Sequence, residues 1–197
     1  SVAIPWEVSL AKWQPFMTGE DEADSVGGPE SFPFVRCRGP AAIVGLSSAQ
    51  PTPLFCAHGT LGETQLKRLR DLLRRLGAEG WFRVVLLHHA PEMANRAWRK
   101  RLVDAAAFRQ VIAEAGAELV LHGHDHTFGD ARIASPGGEV PVFGVPSASA
   151  GRDGEKPVAH YQLYEIGRDG DKWRLGVTVR GFDPTSGNFR EVRSYAV

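Results

Sequence analysis

The chain has only two cysteines in 197 residues, Cys37 and Cys56, with no C-x-x-C pattern. That excludes a disulfide-stapled or cysteine-ligated zinc domain, and predicts buried thiols of a reducing, cytoplasmic compartment. Net charge is also lacking: 23 basic residues balance 23 acidic ones. No broad positive field exists to hold nucleic acid or an anionic membrane surface. No stretch approaches the roughly 18–20 apolar residues that span a bilayer. There is no internal repeat and no low-complexity block; the sequence opens at Ser1, and no signal peptide is expected within it. The first forty residues lack periodicity, and Gly19–Ser31 reads as an acidic, glycine-containing loop.

What is present is ordinary for one good-sized domain: 43% hydrophobic and 23% charged residues. Ala41–Leu46 is a short apolar run, compatible with a buried strand. Thr60 and Glu63 have the spacing of a capping box. Leu66, Leu69, Leu72, Leu73 and Leu76 follow at helical spacing, and Gly77 stands where the helix should stop. Phe82–Leu87 (FRVVLL) predicts a second strand. Asp104 is placed to cap a second helix carrying Phe108, Val111, Ile112 and Ala115 on one face, with Gly116 at its end. Glu118–Leu121 predicts a third strand. Strand, helix, strand, helix, strand over 41–126 signals parallel βαβ units. Over 127–197 the texture changes to strand candidates at 131–134, 140–145, 160–166, 173–179 and 189–195, expected to be mainly antiparallel and to form a second sheet.

Five of the seven histidines fall directly after two of the predicted parallel strands: His88 and His89 after FRVVLL, and His122, His124 and His126 after ELVL. Parallel strands deliver their carboxyl ends to one edge, which is where open α/β sheets place ligand sites. A lone histidine at a strand end is more often a satisfied polar residue than a ligand, and His58 and His160 are read that way. Two clusters meeting at one edge call for a different explanation. Neutral imidazoles are good ligands for zinc, manganese and iron. Gly123 is expected to let the backbone pass close to an ion. Asp125 is expected to point away or to fix an imidazole tautomer.

LLHHAPE (Leu86–Glu92), followed some thirty residues later by LHGHDH (Leu121–His126), resembles the calcineurin-like metallophosphoesterases. The strand and helix upstream and the β-rich tail are similar too, so the resemblance runs from Ala41 to the end. It implies an α/β fold of two sheets sandwiched together and flanked by helices, and hydrolysis of a phosphomonoester or phosphodiester. By the same resemblance His88 and His124 match ligands of one divalent ion and His126 a ligand of the other, the ions being Mn, Fe or Zn. His89 matches a neighbour that touches a substrate oxygen, and His122 and Asp125 would support the ligands. Ala90 stands where the family more often has proline. Arg96 and Arg99, in NRAWRKR (Asn95–Arg101), are candidate contacts for a phosphorylated small-molecule substrate, although a solvated segment is the plainer reading of that run. The loop Ser147–Lys156 is expected to flank the cleft.

The family's D-x-H, G-D-x-x-D and G-N-H-D/E motifs are not found in the chain. The expectation is that residues 1–197 are the C-terminal portion of a longer phosphoesterase domain, incomplete on its N-terminal side and inactive without that half. The implied chemistry uses two ions about 3.5 Å apart that share a carboxylate and a hydroxide. Two alternatives remain: a mononuclear zinc hydrolase with His88, His124 and His126 as its three ligands, and a phosphoesterase-like scaffold that no longer catalyses and binds a partner instead.

Overall fold

A computed structural model describes residues 31–50, 52, 54–91, 98–150 and 158–197. A six-stranded sheet runs in the order β1-β2-β3-β4-β6-β5, and a three-stranded sheet in the order β7-β8-β9. The strands of the first are β1 (Phe34–Arg38), β2 (Ala41–Gly45), β3 (Phe82–Leu87), β4 (Leu119–His122), β5 (Gly129–Ser135) and β6 (Gly138–Gly144); those of the second are β7 (His160–Asp169), β8 (Lys172–Asp183) and β9 (Asn188–Ala196). Helix α1 (Glu63–Ala78) links β2 to β3, and α2 (Ala105–Ala115) links β3 to β4. Strands β2, β3, β4 and β6 are parallel, with β1 and β5 antiparallel at the two edges.

Both faces of the parallel strands are covered, which is why they read as near-continuous apolar runs. Alternation sends Val44, Val85, Val120 and Val142 to one face, against α1 and α2 through Leu69, Leu73, Phe108 and Ile112. It sends Ala41, Val84, Leu119 and Phe143 to the other, against Leu175, Val177 and Val179 of β8. The result is the expected mixed α/β sandwich of two sheets with helices outside.

Several local expectations are corrected. The segment read as irregular holds β1, an edge strand in which Val35, Cys37 and the rest are only half-buried until the exposed Arg38. Strands β5 and β6 belong to the first sheet, because β6 pairs in parallel with β4. No capping box forms at α1: its N-cap is Gly62, without a side-chain cap bond. Asp104 stands at the N-cap of α2 but does not cap it. Its carboxylate accepts the backbone N–H groups of Leu61 (2.9 Å) and Gly62 (2.8 Å), so one acid ties the two helix starts together. Gly116 does end α2, at φ 77°. The helix α1 runs one residue past Gly77, and the positive φ lies at Gly80. Cys37 and Cys56 are half-buried thiols that form no disulfide. Among the described residues no helix is long and apolar enough to cross a membrane.

Candidate functional site

The ladder between β3 and β4 sets the site. Leu87 pairs with His122, and the next step continues as Gly123 N–H donating to the His88 carbonyl at 3.1 Å. That register puts the residues after each strand level with one another. His124 Nδ1 comes to 3.0 Å from His88 Nε2. The His89 ring lies 4.4 Å from that of His124, centre to centre. His126 is exposed, and its proximity to His88 is felt electrostatically.

The loop that carries the later histidines is strained. His124 has φ 70° and His126 φ 57°, a region where non-glycine residues are uncommon though histidine is enriched. Asp125 N–H donates to the Gly123 carbonyl at 2.9 Å, closing a γ-turn of the rarer positive-φ form around His124. The expectation for Gly123 therefore shifts: a methyl there would sit in ordinary contact, 3.7 Å from His88 Nδ1. The unusual backbone belongs to the two histidines themselves. Such strain persists only where the surroundings over-determine it, and it clusters at functional sites.

His89 and His122 are held differently. The buried His89 ring uses both nitrogens: Nε2 donates to the Ala57 carbonyl (3.0 Å), which leaves Nδ1 to accept from the Ser48 hydroxyl (2.8 Å). A substrate contact from His89 requires one of those bonds to open. His122 is buried, with Nδ1 3.1 Å from the Gly123 carbonyl. Its ring fills the space over Gly144, where an added Cβ would come within 2.7 Å of it. Asp125 is half-buried between the two strained histidines. Arg99 is exposed on a single 3-10 turn, Trp98–Lys100, and its carbonyl accepts the Ala57 N–H at 2.7 Å. Arg96 lies outside the described residues, as do positions 151–157 of the loop expected to flank the cleft.

The pKa of His88 is lowered, first by desolvation and then by His126 and His122. That of His89 is lowered by desolvation, partly opposed by its bond to Ala57, with His88 and His58 adding to the fall. Both rings favour the neutral form, the form that ligates metals. Two residues escaped the sequence reading. His58 was taken as bland, yet it reaches His89 electrostatically. Ser48 anchors His89 from just beyond β2; the signal was available, since β2 is also parallel and also ends at this edge.

Do these residues suit a metal? Two nitrogens bound to one ion at about 2.0–2.1 Å would stand about 2.9–3.4 Å apart. The 3.0 Å separation of His88 and His124 fits adjacent positions of one coordination sphere. Among the described residues, no three His, Cys, Asp or Glu side chains converge closely enough to hold an ion by themselves. The pair thus fits part of a coordination sphere and does not complete one.

No family model matches the chain, and no curated protein matches it. Solved structures with some likeness include a single mutant of Vps29 from Entamoeba histolytica, at 13% identity over 78% of this chain and 98% of that one, with a TM-score of 0.31. Wild-type Vps29 complexed with Zn2+ from the same organism matches at 13% identity over 79% and 97%, again with a TM-score of 0.31. Likeness at that level assigns no role to any side chain.

Proposed function

We propose that His88, His124 and His126 are the imidazole ligands of a metal-dependent phosphoesterase site, and that this chain supplies only part of that site. The single observation behind the reading is the 3.0 Å approach of His88 Nε2 to His124 Nδ1, from separate parallel strands, at the carboxyl edge of the sheet. When bound, divalent ions (Mn, Fe or Zn) supply charge that holds phosphoryl oxygens and lowers the pKa of water. The chain's own residues do the rest. His88 and His124 present neutral nitrogens to one ion and His126 to the other. Ser48 and the Ala57 carbonyl lock His89 beneath them, and His122 fixes the start of the strained loop. Arg99, and Arg96 in the segment not described, would offer guanidinium groups to a phosphate at the rim.

Three neutral donors compensate none of the charge of two dications. The carboxylates would come from a segment bearing the D-x-H, G-D-x-x-D and G-N-H-D/E motifs, the partner this reading requires. A screen with phosphomonoester and phosphodiester probes in Mn2+ tests it, run on the chain with and without that segment. Activity should appear only with the segment and fall to background in His124→Ala. Activity that persists in His124→Ala would end the proposal.

A second reading has its own observation. His88 and His124 stand at hydrogen-bond distance, an arrangement that pairs one nitrogen of each ring without an ion. A scaffold that binds a partner and cleaves nothing would keep that pair, and would bind neither Mn2+ nor Zn2+ with the segment present.

A further inference from the structure

Beside the strained histidine loop the two sheets part and leave an apolar pocket of about 310 Å³. Phe128 and Pro146 wall it on the side of the six-stranded sheet, and Val179, Val192, Gln162 and His160 on the side of the other. It adjoins the histidines through the chain itself. Phe128 is two residues past His126, a span of at most about 7.6 Å between Cα atoms. Pro146 follows Val145, whose N–H donates to the His122 carbonyl at 3.1 Å.

Three features define what would fit. The Arg193 guanidinium lies over the Phe128 ring, 3.9 Å from its centre, so two flat π surfaces meet at the pocket wall. Val179 is buried at 5% exposure while Val192 is 60% exposed, giving the pocket a closed apolar floor and an open mouth. Gln162 accepts the Tyr164 hydroxyl on its carboxamide oxygen, and its Nε2 is buried with no hydrogen-bond partner. A buried donor left unmade is costly, and a turn of the carboxamide towards the pocket would let an acceptor on a ligand relieve it. A small apolar pocket with one or two placed polar groups is the usual form of a site for a small organic group.

We infer that this pocket takes the planar ring of the organic group esterified to phosphate, with an acceptor substituent on the ring meeting Gln162 Nε2 once the carboxamide turns towards it. The ring site stands on the pocket alone. Its place in an ester rests on the function proposed above, because the phosphate would then lie towards His126.

The test begins without metal, so that it does not depend on catalysis. Ligand-observed saturation-transfer NMR on the full chain is run with 4-nitrophenol, a ring with acceptors, and with toluene, a ring without. Both should bind saturably. Val192→Glu, at the exposed mouth, should weaken both. Gln162→Leu should weaken 4-nitrophenol about fivefold, the scale of one neutral hydrogen bond, and leave toluene unchanged. No saturable binding, binding indifferent to Val192→Glu, or equal loss of both ligands in Gln162→Leu would each overturn the inference. If Val192→Glu fails to fold, the Gln162→Leu contrast decides alone. With metal and the completing segment, Val192→Glu should raise KM for 4-nitrophenyl phosphate and not for methyl phosphate; an equal change in both would remove the ring from the ester. Ring binding without hydrolysis of either ester would count against the phosphoesterase reading and leave the pocket assignment standing.

Discussion

The two ends of the six-stranded sheet are built to opposite rules. At the amino edge, Arg83, the second residue of β3, uses its whole guanidinium. Its Nη1 donates to the Leu73 carbonyl (3.0 Å) in α1 and to the Ala115 carbonyl (2.9 Å) at the end of α2. Its Nε and Nη2 meet the Glu118 carboxylate at 2.9 and 2.7 Å. A cation is thus placed against the last carbonyl of α2, which the helix leaves unsatisfied, and shares the Leu73 carbonyl inside α1. At the carboxyl edge of the same strands, two histidines sit at positive φ, and the His88 ring, partly desolvated by its neighbours, still reaches solvent. One end closes helix termini; the other carries strain and exposes imidazoles. Cavity size does not mark the chemistry, because the larger cavity, about 790 Å³, lies at the amino edge among Arg74, Glu114 and Lys172.

The contrast breaks most severely at Arg83. Arg83→Leu should cost about 3–5 kcal/mol, since it strands the Glu118 carboxylate and the terminal Ala115 carbonyl in a largely buried place. Urea unfolding should register the loss while metal binding per folded molecule stays unchanged. Next comes Gly144→Ala, whose Cβ would come within 2.7 Å of the His122 ring. That overpacking should cost about 1–3 kcal/mol and, unlike Arg83→Leu, should also weaken metal binding, both readable by unfolding and calorimetry on the same sample. His124→Gly sharpens the comparison by separating stability from function. Removing the side chain from a left-handed position should raise stability by about 1 kcal/mol while metal binding is lost. A fall in stability would show that the contacts of the His124 ring outweigh the backbone strain.

The smallest effect is with pH. Folding lowers the pKa of His88 and His89 below 6.5, so the unfolded chain binds more protons between those folded values and 6.5. Their contribution to stability is present in full above 6.5 and is lost as pH falls from there through the folded values. Thermal unfolding from pH 7.5 down to 5 should show a falling midpoint, with a shallower fall in His89→Gln.

Much of this was legible in the sequence where the signal was local. Phe82–Leu87 reads as a strand because both of its faces are apolar, and the structure bounds it at the same residues. Gly116 ends α2 because its positive φ suits glycine. The meeting of His88 and His124 followed from strand direction alone. What was missed depends on partners distant in sequence. The capping box at Thr60 is displaced by Asp104, more than forty residues on. The placement of β6 depends on pairing with β4 across the β5 hairpin, which no periodicity reveals. His58 is brought in because Ala57 and Gly59 bond to the backbone of Arg99 and Arg101.

The most direct test of the metal reading is a Co2+ titration of the folded chain together with a segment supplying the missing carboxylates, followed by visible absorption. The account predicts histidine-ligated cobalt bands that saturate in the wild type and vanish in both His88→Ala and His124→Ala. Bands that survive in either variant, or none in the wild type, would contradict it.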